Sequence, residues 1–453
     1  MNIILLSGGS GKRLWPLSNS ARSKQFLRLL KSPTGGLESM LQRIVRQIDE
    51  AHLSDSVTIA TNASQKDSIL NQLGERVQMV LEPERRDTFP AIVLSCMYLL
   101  LERHCSPDEV VVVMPCDPYT EAGYFETIGH MAQVVEKNEA DMVLMGICPT
   151  EPSSKFGYIV PCPKSSSTEN SIYRVARFTE KPTPDVATEL LAQGAFWNGG
   201  VFAFRLGYLE KIVRKYLSVS TFQELSNRYA ELPKISFDYE VVEKAQSIAV
   251  IPFKGQWKDL GTWDVLCQEL SEKSLGLAKM KDCLNTHVIN ELEQPIVCVG
   301  TSGLIVAATP DGILVADKQK TGNLKDVVTE LSNRPMFEER RWGSYLVLHH
   351  ETLSDGCQIL TKYLRIHSGK SISYQIHLQR TETWNIVDGE ALLVINEEVR
   401  SVHRGDVICI PSGQKHAIYA LSNLIVLEMQ SGTDLTDSTT QRFEWDWNPY
   451  IKG

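Results

Sequence analysis

The sequence lacks the features that mark a secreted or membrane protein. Its ten cysteines are scattered and none forms a C-x-x-C pair, which is typical of a reduced, intracellular protein. No apolar run is long enough to span a bilayer, since the longest, from Ala91 to Leu101, stops at Glu102. The first residues show neither a basic segment nor a cleavage site, so we expect no signal peptide. The predicted location is the cytoplasm.

The chain also lacks a positive net charge. Its formal charge of -9 argues against nucleic acid or an anionic membrane as the main partner, because both require a basic surface. A local cluster of lysine and arginine that binds a small anion is still allowed. Hydrophobic residues make up 43% and charged residues 22% of the chain, which is the balance of a folded soluble protein. The length of 453 residues predicts two or three domains.

Hydrophobic periodicity divides the chain into three predicted regions. Residues 1–270 alternate short apolar strands with helical patterns, which predicts an α/β domain with a mainly parallel sheet covered on both faces. Residues 271–335 predict a small β connector, because short apolar segments are broken there by Gly and Pro. Residues 336–453 predict a closed or sandwiched all-β domain. The first strand is predicted at Asn2 to Leu6, and the first helix from the spacing of Leu37, Met40, Leu41, Ile44, Val45 and Ile48.

A glycine-rich loop follows the first predicted strand, at the edge of the sheet where α/β folds bind ligands. The loop comprises Ser7, Gly8, Gly9, Ser10, Gly11, Lys12 and Arg13. Glycines there let backbone N–H groups approach a polyphosphate, and Arg13 and Lys24 can add charged hydrogen bonds. An ordinary tight turn with solvated basic residues is the alternative. The loop is neither a Walker P-loop nor a G-x-G-x-x-G loop, so another kind of nucleotide loop is required.

The loop and the residues after it resemble a known family. The run GGSGKRLWPLS from Gly8 to Ser18, followed by Lys24–Phe26, is similar to mannose-1-phosphate guanylyltransferases, in the long bacterial form fused to a mannose-6-phosphate isomerase domain. The guanylyl branch is favoured by Trp15 and by the pair Gln25 and Phe26. Ser23 stands where the family usually has Pro. The resemblance implies a Rossmann-like nucleotidyltransferase domain with a mixed central sheet, a short β connector and a C-terminal all-β cupin barrel.

A second segment resembles the part of this family that binds the nucleobase. The sequence EPERRDTFPAI, from Glu82 to Ile92, is similar to the family pattern E-P-x-x-R-N-T-A-P-A-I. Asp87 replaces the usual Asn, and its carboxylate can accept from the N1–H and N2–H₂ edge of guanine or serve as a helix N-cap. Nucleotide binding is thus predicted for Ser7, Gly8, Gly9, Gly11, Glu82, Arg86, Asp87 and Thr88.

Two aspartates are the predicted magnesium ligands. Asp117 follows a predicted strand and so lies at the ligand-binding edge of the sheet, and Asp259 lies in WKDLGTW, which resembles the family's W-x-D-V-G-(S/T)-W element. Hard oxygen ligands suit a Mg²⁺ that bridges phosphates. Either aspartate alone is also compatible with a capping or turn role, and Pro118 stands where the family usually has His. The predicted catalytic residues are Arg13, Lys24, Asp117 and Asp259.

The predicted sugar-phosphate side is assembled from several short motifs. The sequences FTEKP, WNGGVF and SFDYE resemble the family's F-x-E-K-P, W-N-S-G-x-F and S-I-D-Y segments. By itself, a Glu-Lys-Pro sequence is typical of a solvated strand end. The resemblance implies that the sugar phosphate is bound by Gly146, Gly157, Glu180, Lys181, Asn198 and Asp238.

The C-terminal region contains a cupin-like metal pattern. Gln375 and His377 lie two apart on one predicted strand and so point to one face, which Glu382 and His416 can reach from neighbouring strands. Imidazole and carboxylate ligands suit Zn²⁺ or another first-row divalent ion, and a structural role is the alternative for each histidine. The segment resembles the isomerase signature Q-x-H-x-x-R-x-E-H-W, which Thr383 breaks. We therefore expect the barrel to bind a metal but to be a weak isomerase or none.

Together these resemblances imply an enzyme that transfers GMP from GTP to mannose 1-phosphate by in-line attack on the α-phosphate. Such a transfer needs positioning and charge neutralisation rather than a covalent nucleophile, which explains the Gly, Arg, Lys and Asp motifs. Three alternatives are another sugar 1-phosphate, a bifunctional enzyme that also interconverts mannose 6-phosphate and fructose 6-phosphate, and a non-catalytic sugar-nucleotide sensor. Arg341 and the tail Gly432–Leu435 depart from the isomerase pattern and disfavour the second. A homodimer is left open.

Overall fold

A mixed β-sheet forms the centre of the first of two compact units, which comprises Met1–Leu14, Ser23–Lys273 and Lys318–Leu324. The computed structural model describes residues 1–8, 12–19, 21–54, 56–162, 172–331 and 334–451. The strands of this unit are β1 Asn2–Leu6, β2 Leu30–Lys31, β3 Leu37–Glu38, β4 Val57–Asn62, β5 Gln78–Glu82, β6 Val110–Pro115, β7 Pro118–Thr120, β8 Met142–Ile147, β9 Tyr158–Pro161, β10 Tyr173–Thr179, β11 Phe196–Arg205, β12 Ile248–Phe253 and β13 Trp257–Asp259. The helices are α1 Met40–Glu50, α2 Lys66–Leu73, α3 Thr88–Leu101, α4 Ala122–Glu136, α5 Pro184–Ala192, α6 Leu206–Val213, α7 Phe222–Asn227 and α8 Trp263–Glu269.

The strand order of the main sheet is β5-β4-β1-β6-β11-β8-β12-β10-β9. Strands β5, β4, β1 and β6 are parallel to one another, as the alternation of strands and helices predicts. Strand β11 is antiparallel to both of its main neighbours, β6 and β8. The sheet is therefore mixed, as the family resemblance implies, and the mainly parallel arrangement predicted from the pattern holds only for one half.

Helices cover both faces of this sheet. Side chains alternate along β1, so Ile3 and Leu5 pack into the core with α1 and α4, while Ile4 packs into the opposite core with α3 and α6. The first helix begins at Met40 and not at Leu37, because Ser39 and Gln42 form a capping box that fixes its start. Leu37 lies in β3 and was wrongly included in the helix by its spacing.

The second compact unit comprises Trp15–Arg22, Ser274–Asp317 and Lys325–Gly453. Its connector strands are β14 Ser274–Leu275, β15 Ala278–Lys281, β16 His287–Asn290, β17 Ile296–Val299, β18 Leu304–Thr309 and β19 Gly312–Asp317, followed by helix α9 Leu324–Thr329. Strands β14, β16 and β18 pair in parallel, as do β15 and β17, while β18 and β19 form an antiparallel hairpin. These short parallel strands stack on one another and bury Val288, Cys298 and Val306 between them.

The C-terminal part of the second unit is a double-sheeted β structure. One sheet has the order β20-β21-β22-β29-β24-β27 and the other β26-β25-β28-β23-β30, and the two enclose an apolar core that includes Trp384 and Ile418. No helix in the described ranges is both long enough and apolar enough to cross a lipid bilayer. The strands and final helix are β20 Phe337–Arg340, β21 Gly343–Thr352, β22 Gln358–Ile366, β23 Tyr374–Ile376, β24 Arg380–Asp388, β25 Glu390–Ile395, β26 Glu398–His403, β27 Val407–Ile410, β28 His416–Ala420, β29 Leu424–Gly432, β30 Gln441–Phe443 and α10 Asn448–Ile451.

Candidate active site and candidate metal centre

Lys24 bridges the two predicted magnesium ligands at the carboxyl edge of the main sheet. Strands β7 and β13 pair so that Asp259 lies opposite Pro118, which brings Asp259 beside Asp117. The Lys24 Nζ lies 2.8 Å from Oδ2 of Asp117 and 2.9 Å from Oδ1 of Asp259. Burial alone would lower the pKa of Lys24, but the two carboxylates outweigh it and raise the pKa, so the ammonium is charged. For Asp259 burial acts in the opposite direction and would raise the pKa, but Lys24 and other basic side chains nearby outweigh it, and the pKa of Asp259 is lowered.

A buried polar network, missed by the sequence reasoning, holds the start of the phosphate loop and the turn that carries Lys24. Gln65 donates from Nε2 to the Ser23 hydroxyl at 2.9 Å, and its Oε1 accepts from the hydroxyls of Ser7 and Thr61. Gln25 donates to the Ser7 hydroxyl at 3.1 Å. All five side chains are buried, so each polar group has its partner inside the protein. Ser23, which stands in place of the family's Pro, is therefore fixed by a hydrogen bond from Gln65.

Most of the predicted nucleotide-binding residues line one cavity of about 340 Å³. The residues that line it are Leu6, Ser7, Gly8, Ala60, Asn62, Glu82, Arg85, Arg86, Asp87, Thr88, Ala91, Pro115 and Asp117. A Cβ on Gly8 would meet no atom within 4 Å, so packing does not require a glycine there and close approach of a ligand explains it better. Gly9 and Gly11 lie outside the described residues. Arg13 is exposed and close enough to Asp259 to help lower its pKa.

The nucleobase segment crosses one side of this cavity. Glu82 accepts from the Tyr229 hydroxyl at 2.9 Å, and burial raises the pKa of its carboxyl in spite of that bond. Arg86 is held by Glu84 and by the Leu232 carbonyl. Asp87 is the N-cap of α3, with φ at 74° and a carboxylate that accepts from the Thr88 N–H at 2.7 Å. It therefore caps the helix and lines the cavity as well.

Two cavity residues, Arg85 and Asn62, were not anticipated from the sequence. Asn62 is the last residue of β4 and Gln65 follows three positions later, so both lie at the carboxyl end of a strand, at the ligand-binding edge of the sheet. Reading the residues after every predicted parallel strand, and not only after the first, could have found them. Arg85 is adjacent to the predicted Arg86 and helps to lower the pKa of Glu82.

The predicted sugar-phosphate residues form a second cluster. Asn198 donates to Oδ1 of Asp238 at 2.6 Å, and its own N–H donates to the Gly157 carbonyl at 2.7 Å. Lys181 Nζ lies 2.8 Å from Oε1 of Glu180. A Cβ on Gly157 would lie 2.4 Å from Oε2 of Glu180 and 2.9 Å from Cζ of Phe178, so a glycine leaves the Glu180 carboxylate room in its present position. Burial, followed by the charge of Glu180, raises the pKa of Asp238 to about 6.

Gly146 differs from the rest of this cluster. It pairs with Asn198 between β8 and β11, so it lies beside a predicted ligand of the sugar. A Cβ there would lie 2.7 Å from Val250 and 2.8 Å from Phe196. Close packing alone thus explains a glycine at this position.

In the second unit, three of the four predicted metal ligands converge inside the β structure. The ligand atoms of His377, Glu382 and His416 all lie within 4.8 Å of one another, and all three residues are buried. Gln375 is paired with His416 between β23 and β28, and its amide oxygen accepts from the Ser373 hydroxyl at 3.1 Å. Imidazole nitrogens and a carboxylate are the donor set of a first-row divalent ion.

The hydrogen bonds of His416 suit a cation beside its ring. The Nδ1 of His416 faces the Gln414 carbonyl at 3.0 Å. Its buried Nε2 has no hydrogen-bond partner among the described residues, although it lies 3.4 Å from Glu382 Oε2. Burial lowers the pKa of His377 to about 4, so that ring is neutral. A metal-binding histidine is typically held in this way through its other nitrogen.

A basic side chain occupies part of the same cluster. Arg380 donates from Nε to Glu382 Oε1 at 3.0 Å and from Nη2 to His377 Nε2 at 3.1 Å, and from Nη1 to the Thr436 carbonyl at 3.2 Å. Thr383 is half-buried while its neighbours Glu382 and Trp384 are fully buried, so alternation along β24 turns it to the other face. The change from His to Thr therefore does not touch the cluster directly.

The fold and the first site define a nucleotidyl transferase: residues 2–274 match the family model of that description. Residues 284–331 match a MannoseP isomerase/GMP-like beta-helix domain, and residues 331–445 match a mannose-6-phosphate isomerase C-terminal domain. A curated relative, the mannose-1-phosphate guanylyltransferase of Salmonella montevideo, is 30% identical over 97% of this chain and 98% of that protein. With this identity over nearly its whole length, the chain belongs to the mannose-1-phosphate guanylyltransferase family.

Other relatives agree with this assignment. The alginate biosynthesis protein AlgA of Pseudomonas putida is 30% identical over 97% of this chain and 95% of that protein. A solved structure described as a mannose-1-phosphate geranyltransferase from Thermus thermophilus is 30% identical with a TM-score of 0.60. It covers 73% of this chain and 99% of that chain.

Proposed function

We propose that the first unit transfers GMP from GTP to mannose 1-phosphate and releases pyrophosphate. The observation that carries this proposal is the charged Lys24 between Asp117 and Asp259, with Asp117 also lining the nucleotide-sized cavity. A phosphate oxygen of the sugar phosphate attacks the α-phosphorus of GTP, and the bond from that phosphorus to the β-phosphate oxygen breaks. Family membership supports the same reaction, because the relatives are named for it.

The chain's own residues supply positioning and positive charge for this transfer. Lys24 and Arg13 lie at the phosphate loop. Lys181 lies in the sugar cluster, where it is paired with Glu180, and 62% of its side chain is exposed, so a phosphate can approach it. Cations that face the transferring phosphoryl group stabilise the charge that builds up on its oxygens. Asp117 and Asp259 fit Mg²⁺, because they present hard oxygens that converge on one cation position. When bound, Mg²⁺ would further neutralise the phosphates.

Base selection is assigned to the carboxylates of the cavity. Guanine presents two adjacent N–H donors on its Watson–Crick edge, and Glu82 and Asp87 are acceptors that line the cavity. Gln25 and Trp15 favour guanine by resemblance, but their own contacts are structural, since Gln25 donates to Ser7 and the Trp15 ring packs against Gly312. In this proposal they hold the loop in place, and Glu82 and Asp87 recognise the base.

This proposal predicts that pyrophosphate release requires both GTP and mannose 1-phosphate. The purified chain with Mg²⁺ should be assayed with GTP, ATP, UTP and dTTP, each with mannose 1-phosphate or glucose 1-phosphate. We expect the GTP rate to exceed each other rate by at least about tenfold, because a base without guanine's two adjacent N–H donors leaves the Glu82 and Asp87 carboxylates unpaired in the complex. A faster reaction with UTP or dTTP would contradict the assignment of Glu82 and Asp87.

A second prediction concerns the pH dependence of sugar binding. Asp238 lies beside Glu180, Lys181 and Asn198, and its pKa is raised to about 6, so it loses its charge as the pH falls through 6. A neutral carboxyl is a weaker acceptor for a sugar hydroxyl. The KM for mannose 1-phosphate should therefore rise between pH 7.5 and pH 5.5, with a smaller change in kcat.

The matched variant is Asp238→Asn, which keeps the shape and removes the titration. The sugar phosphate itself titrates near pH 6, at about the pKa of a phosphate monoester, so the two proteins are compared in the same buffers. The variant should show a high KM at pH 7.5 and only the part of the pH dependence that belongs to the substrate. Identical pH profiles for the two proteins would remove Asp238 from the sugar site.

For the second unit we propose a divalent metal held by His377, Glu382 and His416, with Gln375 as the fourth ligand. Isomerisation of mannose 6-phosphate is expected to be weak, because two basic groups near the proposed metal site, Arg380 and Lys362, already have carboxylate partners. Lys362 lies 3.6 Å from Glu428, and Arg380 is bonded to Glu382. The metal thus serves mainly to stabilise this unit.

A further inference from the structure

A segment of the phosphate-binding motif belongs to the second compact unit. The chain leaves the first unit after Leu14 and returns to it at Ser23, and Trp15–Arg22 lies among the connector strands in between. Arg13 precedes this segment by two positions, and Lys24 follows it by two. The two proposed catalytic cations therefore flank a segment that has contacts with the connector.

The centre of these contacts is Asp311, in the turn between β18 and β19. Its Oδ2 accepts from Asn19 Nδ2 at 2.7 Å, and its Oδ1 accepts from the Met336 N–H at 2.6 Å. The Oδ1 of Asn19 accepts from the N–H groups of Ala21 and Arg22, at 2.8 and 2.7 Å. One carboxylate thus fixes a closed turn in the segment and ties it to the chain that enters β20.

Three further contacts hold the same segment. The Thr309 hydroxyl donates to the Pro16 carbonyl at 3.2 Å in a buried position. The Trp15 ring lies directly on Gly312, where an added Cβ would come within 2.5 Å of Cζ2. The Arg22 guanidinium reaches both carboxylate oxygens of Glu291, at 3.0 and 2.8 Å. The segment is fastened at its start, its middle and its end.

We propose that Asp311, with Thr309, positions Arg13 and Lys24 for guanylyl transfer by fixing the segment between them. The inference rests on the proposed function of the first unit and adds positioning residues from the connector. Lys24 is also held by Asp117 and Asp259, but a loop of this length with a free centre would let the backbone that carries Arg13 and Lys24 shift. A misplacement of about 1 Å at a reacting group can cost up to about 100-fold in rate.

The test is a pair of exchanged substitutions. Asp311→Asn places an amide opposite the Asn19 amide and removes the charged acceptor, and we expect kcat/KM for GTP to fall by about tenfold or more. Adding Asn19→Asp to it restores a carboxylate–amide pair with the roles reversed, and activity should recover to within about threefold of wild type. Asp282→Asn, at an exposed turn of the same connector, is the matched control and should be unchanged.

Two measurements separate positioning from a general loss of stability. The melting temperature of Asp311→Asn should stay within about 2 °C of wild type, and the Kd for GTP should change less than kcat. If the variant does not fold, Thr309→Val should still lower kcat by about threefold, because it keeps the shape and removes the hydrogen bonds to the Pro16 carbonyl and from the Asp311 N–H. If wild type is active and kcat is unchanged in the variants, the positioning role of Asp311 and Thr309 is wrong and the proposed function stands. If wild type is inactive, the proposed function is contradicted.

Discussion

Replacing Lys24 by Ala should lower kcat for GMP transfer by about 100-fold or more. The ammonium is charged and lies within 2.9 Å of both carboxylates, at the edge of the sheet where the phosphate loop ends. The variant loses a cation that, in the proposed function, faces the transferring phosphoryl group. Asp259→Ala should lower turnover by a similar factor, because it removes one of the two acidic groups that fix Lys24 and fit Mg²⁺.

The Lys24 variant also makes a prediction that does not depend on turnover. Without the ammonium, Asp117 and Asp259 repel each other in a partly buried position. Mg²⁺ should therefore raise the melting temperature of Lys24→Ala more than that of wild type. Equal Mg²⁺ shifts would show that the ion binds elsewhere.

Two further variants serve as controls for Lys24→Ala. Lys24→Arg keeps the charge but cannot reproduce the compact ammonium between two carboxylates, so it should recover only part of the activity. Lys31→Ala removes an exposed lysine from β2 and should behave as wild type. Near wild-type turnover in Lys24→Ala would remove this residue from the site.

The parts of the fold that the sequence predicts are those with strong local signals. Strand β1 has the predicted bounds Asn2–Leu6, because four consecutive apolar residues enter a sheet that is buried on both faces. Its position next to a glycine loop then predicts a ligand-binding edge, and Ser7 and Gly8 do line the cavity. Motif resemblance adds Glu82 and Asp117, which lie far apart in the sequence and line the same cavity.

The parts that could not be predicted depend on contacts between distant segments. Strand β11 is antiparallel to β6, and no local property of its residues distinguishes this from a parallel strand. Gln65 has no motif of its own, and its role follows only from the buried hydroxyls that surround it. The bond from Asn19 to Asp311 joins residues 292 positions apart.

The C-terminal barrel provides the other prediction with a large expected effect. Wild-type protein should carry about one divalent ion per chain, and His377→Ala should lose most of it. A metal that binds only the folded state stabilises it by mass action, by about 2.7 kcal/mol at 100 times its Kd. The melting temperature of the barrel should therefore fall in His377→Ala and on treatment of wild type with a chelator, while guanylyl transfer should scarcely change.

The matched control is His349→Ala, which removes an exposed histidine paired with Glu351 on β21 and should keep both the metal and the melting temperature. Metal analysis that finds wild type empty would show that the ligand assignment is wrong. A coupled assay should detect little formation of fructose 6-phosphate from mannose 6-phosphate, because Arg380 and Lys362 are already paired inside the barrel. Turnover at an ordinary enzyme rate of about 10 per second would contradict this expectation and establish a second activity.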